Sequence, residues 1–171
     1  IDEASRNVDL SSTGELQLGI VNRMIAPTSI NGQASFDLAM KGQPGLDALS
    51  GSIQISGSNV AIPQVANTIT DLGGTIGLDG TVAQVAMNGA LRAGGGFTVN
   101  GPVQLTAPFD GTLNVSLNGI VLTDNISYET TADGQLVYSG PLVGNGNLSG
   151  QIDFGETEIN IATAGGTSGA A

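Results

Sequence analysis

Apolar and polar residues alternate along most of this chain with a period of two, which is the signature of strands with one apolar face. The clearest run is Phe97 to Leu105. Phe97, Val99, Val103 and Leu105 share one face with Gly101, while Thr98, Asn100, Pro102 and Gln104 fall on the other. Leu113, Val115 and Leu117 alternate with Asn114 and Ser116 in the same way. No stretch carries a convincing helical period, and Pro63 to Leu72 is the least strand-like interior stretch. The polar, acidic opening and the Ala/Gly/Thr/Ser tail read as loosely ordered. The pattern thus predicts a loosely ordered segment over 1–12, one β-domain over 13–161 and a flexible tail over 162–171.

A motif recurs inside these runs: apolar, any, Gly, any, apolar, often with a further apolar residue two places on. It occurs as Leu49-Gly51-Ile53-Ile55, Leu72-Gly74-Ile76-Leu78, Val99-Gly101-Val103-Leu105 and Leu148-Gly150-Ile152-Phe154. Weaker copies centre on Gly32, Gly89, Gly119 and Gly140, and the irregular spacing is not that of a tandem solenoid. Asn-Gly and Ser-Gly steps are ordinarily hairpin turns. A two-residue turn at Asn100-Gly101 would put Pro102 and Gln104 on the apolar face, and one at Ser149-Gly150 would put Gln151 and Asp153 there. Reading straight through the glycine keeps the alternation, so Gly51, Gly74, Gly101 and Gly150 are expected inside strands, on the apolar side. Glycine in a strand marks a bend, a bulge or a close approach. Repeated across neighbouring strands it would crease the sheet.

The fold class expected is therefore all-β, with long creased strands forming a folded, taco-like sheet around an apolar groove. At Gly119 both the hairpin and the strand reading stay open, because Ile120 and Leu122 could face inward either way. True turns are expected at Asp79-Gly80, Asp110-Gly111 and Asp133-Gly134, with a further connection at Gly94-Gly95-Gly96.

Composition sharpens this picture. Only 4% of the 171 residues are aromatic, with no Trp, while Gly reaches 27, about twice its usual share. Compact globules of this size anchor their cores with more aromatic bulk, so long, thin sheets fit better. The net charge is −11, and no Lys or Arg follows Arg92. Such a chain lacks the basic footprint of a nucleic-acid binder and is repelled by anionic membrane surfaces. With no Cys and no His, disulfides, thiol chemistry, Ser-His-Asp triads and His- or thiolate-based metal sites cannot be built. There is no apolar run long enough to span a membrane as a helix, no signal peptide and no initiator Met. The chain reads as a piece of a longer polypeptide.

Between Leu49 and Ile161 the sequence resembles the periplasmic, C-terminal part of the TamB family, the inner-membrane subunit of the translocation and assembly module. The matching stretches are LSGSIQISGSNVAIPQ from Leu49, LGGTIGLDG from Leu72, GGGFTVNGPVQLTAPFDGTLNV from Gly94, GIVLTDNISYETTADGQLVYSGPL from Gly119 and LSGQIDFGETEINI from Leu148. What the resemblance implies is a folded β-sheet with an apolar interior, in the periplasmic part of an inner-membrane-anchored bacterial protein. It implies roles in outer-membrane and autotransporter protein assembly and in phospholipid transport. The partners implied are an outer-membrane assembly barrel subunit of the TamA kind and, as cargo, unfolded outer-membrane protein strands or phospholipid acyl chains. The family brings no catalytic motif, so no enzyme activity and no cofactor are expected.

The candidate ligand surface is the apolar side of the creased strands: Ile53, Ile55, Ile76, Leu78, Met87, Phe97, Val99, Val103, Val115, Leu117, Ile152 and Phe154. The competing reading is an ordinary sandwich core. Glycine on that side favours a groove, because it opens space where a core would place bulk. Asp153, Glu156 and Glu158 form the one acidic cluster, read as a solvated edge rather than an acid/base pair. Leu72 to Gly80 and Gly144 to Asp153 only loosely imitate the calcium-binding nonapeptide, and without repetition. No phosphate loop is present. The sequons at Asn114, Asn125 and Asn147 are chance matches in a chain rich in Asn and Ser. With one Lys in total, the end strands lack the usual protection, so edge-to-edge self-association is expected. The alternative function is a structural or adhesive surface passenger or stalk, whose strands would be parallel with stacked identical positions.

Overall fold

The computed structural model describes residues 7–63, 67–123 and 128–159. The fold is all-β: a single antiparallel sheet of nine strands, not closed into a barrel. The strands follow one another in sequence order: β1 Val8–Gln17, β2 Ser29–Gly42, β3 Leu49–Ile62, β4 Asn67–Asp79, β5 Val82–Leu91, β6 Gly96–Gln104, β7 Asp110–Thr123, β8 Tyr128–Pro141 and β9 Asn147–Ile159. Every pairing joins sequence neighbours, the most local way to build a sheet, and β1 and β9 are its two edges. Among the described residues, helix is confined to single turns: a four-residue α-helix at Asn22–Ile25 and 3-10 turns at Leu18–Val21 and Leu46–Ala48.

Several local expectations are corrected. β1 starts at Val8, inside the segment read as loosely ordered: it pairs with β2 from Val8 opposite Gly42 onward, and Val8 and Leu10 continue the alternation. The flexible-tail expectation for 162–171 and the sequon at Asn125 fall outside the described residues, as do residues 1–6. Most of Pro63 to Leu72 is strand, since β4 begins at Asn67. Asp79-Gly80 does turn the chain: Asp79 pairs with Val82, and Gly80 takes a left-handed φ of 59°. Gly94 and Gly95 lie in the β5–β6 connection and Gly96 opens β6. Asp110-Gly111, by contrast, opens β7, the turn having been made over the preceding residues. Asp133-Gly134 is no turn at all but lies mid-way along β8.

What replaces the missing turn explains how the strands keep one face apolar. Leu113, Val115 and Leu117 occupy odd positions, whereas Ile120 and Leu122 are even. The slip is absorbed by a bulge: three steps from Leu117 to Ile120 on β7 face two steps from Gly134 to Ala132 on β8. Gly119 supplies the left-handed conformation a bulge needs, with φ 54°. Its N–H donates to the Asp133 carboxylate at 2.8 Å. Ile120 and Ala132 then return to the apolar side and are 5% and 2% exposed. The same slip occurs around Gly57 on β3 (φ 56°), at Asp71 on β4 (φ 51°), and between Phe154 and Thr157 on β9. These bulges, on β3, β4, β7 and β9, all lie towards the same end of the sheet, while β5 and β6 pair without a shift. Bulges bend strands and increase twist, which fits a sheet that is folded rather than flat.

Candidate functional site: the apolar face

Residues directly opposite on neighbouring strands share a face, so the register decides which side chains meet. One row runs unbroken from edge to edge: Leu16, Ala34, Ile55, Gly74, Met87, Val99, Val115, Leu136 and Gly150. A second contains Gly14, Phe36, Ile53, Ile76, Val85 and Gly101. A third holds Leu38, Gly51, Leu78, Ala83, Val103, Gly111 and Gly140. A fourth joins Gly89, Phe97, Leu117, Gly134 and Ile152, and beyond the bulges Ile120 faces Ala132, which faces Phe154. The structure therefore brings all twelve sequence-derived lining residues onto one side of the sheet. The opposite side is polar along rows such as Gln54, Thr75, Ala86, Asn100, Asn114, Val137 and Ser149.

Phe36, Val85 and Leu136 belong to the same apolar face and were readable from the same alternation. Ala34, Ala83 and Ala132 were not, because alanine carries no directional signal of its own. Yet these three are among the most deeply buried residues, at 2%, 5% and 2% exposed.

The face is incompletely covered. Among the described residues the fully buried apolar side chains are those three alanines, Val103 and Ile120. Ile53, Ile55, Ile76, Leu78, Met87, Phe97, Val99, Val115 and Leu117 all stay partly exposed. Ile152 and Phe154 on the edge strand are 40% and 62% exposed. A closed sandwich interior packs its large aliphatics out of water, and here, apart from Val103 and Ile120, the buried apolar side chains are alanines.

Gly51, Gly74, Gly101 and Gly150 lie inside β3, β4, β6 and β9 with φ between 126° and 149°. They are spread over three of the rows, and no register shift falls at any of them. Gly74 shows what they provide. A methyl group built there would sit 2.2 Å from the Ala86 carbonyl oxygen and 2.7 Å from the Met87 Cα of the adjoining strand. Gly51, Gly101 and Gly150 would likewise meet a neighbouring backbone carbonyl, at 2.0 to 2.1 Å. Elsewhere glycine makes room for a ring: a Cβ at Gly89 would lie 2.8 Å from Cζ of Phe97, its cross-strand partner.

The acidic cluster sits on β9, and the register sharpens it. Asp153 lies directly opposite Asp133, and Glu158 directly opposite Glu129. Glu129, Glu156 and Glu158, with Thr130 and Thr131, line an open hollow of about 360 Å³. Like charges directly opposite each other destabilise a sheet. Glu158→Lys is therefore expected to raise stability by a few tenths to about 1 kcal/mol. Thermal melts should show the gain at low salt and lose most of it at about 1 M, where screening acts over only about 3 Å. Among the described residues no cluster of three or more His, Cys, Asp or Glu is arranged to hold a metal ion. Leu72 to Asp79, which loosely imitates a calcium repeat, is a strand in an antiparallel ladder. No described helix is long and apolar enough to cross a membrane. Scans against protein-family models, curated proteins and solved structures each found no match.

Proposed function

We propose that this chain is a non-enzymatic segment of a periplasm-spanning protein, holding apolar cargo in a β-groove. The observation that carries the reading is the apolar face itself. One of its rows runs unbroken from one edge of the sheet to the other, three more cover parts of it, and its large aliphatics remain partly exposed. Exposed apolar surface that continuous is uncommon on a soluble protein without a partner for it. Together with the TamB-like stretches it points to outer-membrane and autotransporter protein assembly or phospholipid transport, alongside an outer-membrane barrel subunit. Either cargo, an acyl chain or an apolar strand, matches an aliphatic trough. A guest burying about ten methylenes gains roughly 8 kcal/mol before ordering losses, which leaves reversible binding in the micromolar-to-millimolar range. The surface-passenger alternative needs parallel, stacked coils, and every pairing here is antiparallel.

Native mass spectrometry of the gently purified chain tests this, together with titration of a fluorescent fatty acid. Adducts at acyl-lipid masses, or saturable probe binding displaced by phospholipid, support the lipid arm. Peptide adducts, or displacement only by apolar peptide, support the polypeptide arm. A bare chain that binds neither probe up to millimolar concentration would sink the groove reading.

A further inference from the structure

The groove is not the only unsatisfied surface. All thirteen residues of β9 are exposed, and its far edge pairs with nothing among the described residues. The apolar side chains of that strand, Leu148, Ile152, Phe154 and Ile159, are 60%, 40%, 62% and 69% exposed. An open edge by itself says little. What gives it a preference is charge. Asp153 and Glu158 sit on the same face as Asp133 and Glu129, carboxylate directly opposite carboxylate. No Lys or Arg occurs anywhere after Arg92, so β7, β8 and β9 supply no cation to separate them.

We infer that β9 is a docking edge for an extended strand of another polypeptide, one bearing Lys or Arg on the outer face and aliphatic residues on the inner face. Added to the ladder, such a strand satisfies the free backbone groups of β9, covers Leu148 and Phe154, and places cations beside Asp153 and Glu158. The β9 bulge fixes their spacing. Asp153 and Glu158 are five residues apart on β9 but face Asp133 and Glu129, four apart on β8. The guest strand is therefore expected to carry its cations four residues apart. A second copy of this chain fits poorly. Its edges are β1, whose charged residues are Asp9 and Glu15, and β9 itself, with Asp153, Glu156 and Glu158, so joining either to β9 would set acid against acid. The self-association expected from unprotected edges should accordingly be suppressed at low salt. The inference concerns backbone pairing at the sheet's rim; it shares Phe154 with the apolar face, but its charge and salt readouts do not depend on what that face holds.

The test uses the whole chain and three soluble 13-residue peptides with Val and Thr alternating. One carries two Lys four residues apart on the Thr face, the second carries Glu at those two places, and the third is a scrambled Lys peptide. At about 50 mM salt the Lys peptide should bind at least about tenfold more tightly than the Glu peptide. It should protect β9 amides, and not β1 amides, from hydrogen exchange, and should weaken as salt rises. In the double variant D153K/E158K, both positions being exposed, the preference should invert to the Glu peptide. The inference fails if the Lys and Glu peptides bind alike, if the scrambled peptide matches the ordered one, or if protection falls on β1. It also fails if the variant keeps the original preference, or if low-salt sedimentation finds a dimer joined through β9.

Discussion

Val99→Asp and Val115→Arg, made separately, are each expected to leave the sheet folded while abolishing apolar guest binding. The two residues face each other at the centre of the longest apolar row, on β6 and β7, and both are partly exposed. A charge placed there stays hydrated. Its cost is the partial burial of one Val side chain, about 1–2 kcal/mol, not the several kcal/mol of a desolvated, unpaired ion. A guest chain crossing the same point would have to strip that hydration, so bound fatty-acid probe should fall at least about tenfold. The internal control is Ala83→Asp. Ala83 is 5% exposed between Leu78 and Val103, and a carboxylate there is expected to cost more than about 3 kcal/mol and to unfold the chain. Chemical denaturation and probe titration on all three variants separate the models. If Val99→Asp and Val115→Arg unfold as Ala83→Asp does, the face is a closed core. The double variant should not replace the single ones, because Asp and Arg directly opposite each other would pair and partly conceal the effect.

The second large effect is expected from one methyl group on β4. Gly74→Ala forces an alanine into φ 142° and drives its Cβ to 2.2 Å from the Ala86 carbonyl oxygen. Backbone strain of this kind costs about 1–3 kcal/mol on its own, and the clash is with backbone, which cannot turn aside. A loss of roughly 2–4 kcal/mol is expected, visible as a clear drop in the urea midpoint. Gly77, three residues along the same strand, has nothing within 4 Å of a built Cβ and an ordinary φ. Gly77→Ala should be neutral or stabilising by up to about 1 kcal/mol, through the entropy it removes from the unfolded chain. Opposite signs at two glycines of one strand would show that Gly74 is required by the approach of β5 and is not merely tolerated. Equal, small effects would mean that β4 and β5 can part locally without loss.

For the groove reading, the first experiment decides whether water reaches the apolar face. The second decides whether close backbone approach at the in-strand glycines is part of what holds the sheet in shape. In the glycine experiment folding is the readout, so its outcome stands whatever the cargo proves to be.

The alternation of apolar and polar residues, by itself, determined that this protein is all-β, which side chains share a face, and that Gly51, Gly74, Gly101 and Gly150 lie within strands. That information is local. A residue's side of a strand follows from the parity of its position, and the polar residues after each glycine exclude a turn there. Parity breaks are where local reading ended. Between Leu117 and Ile120 the frame slips by one, and a hairpin or a bulge repairs it equally well. The structure takes the bulge, with β8 paired alongside and Asp133, fourteen residues away, accepting the Gly119 N–H across the ladder. The same pairing holds Asp133-Gly134 in mid-strand, although its local sequence is that of a turn. Likewise β1 reaches back to Val8, where it pairs with Gly42 of β2, and that extent depends on the partner strand rather than on the polar opening of the chain. The face-to-face carboxylates of β8 and β9 could not be read from spacing alone, since their alignment depends on the β9 bulge. Hydrophobic parity is written residue by residue, whereas register, bulges and charge pairing are settled only when the neighbouring strand arrives.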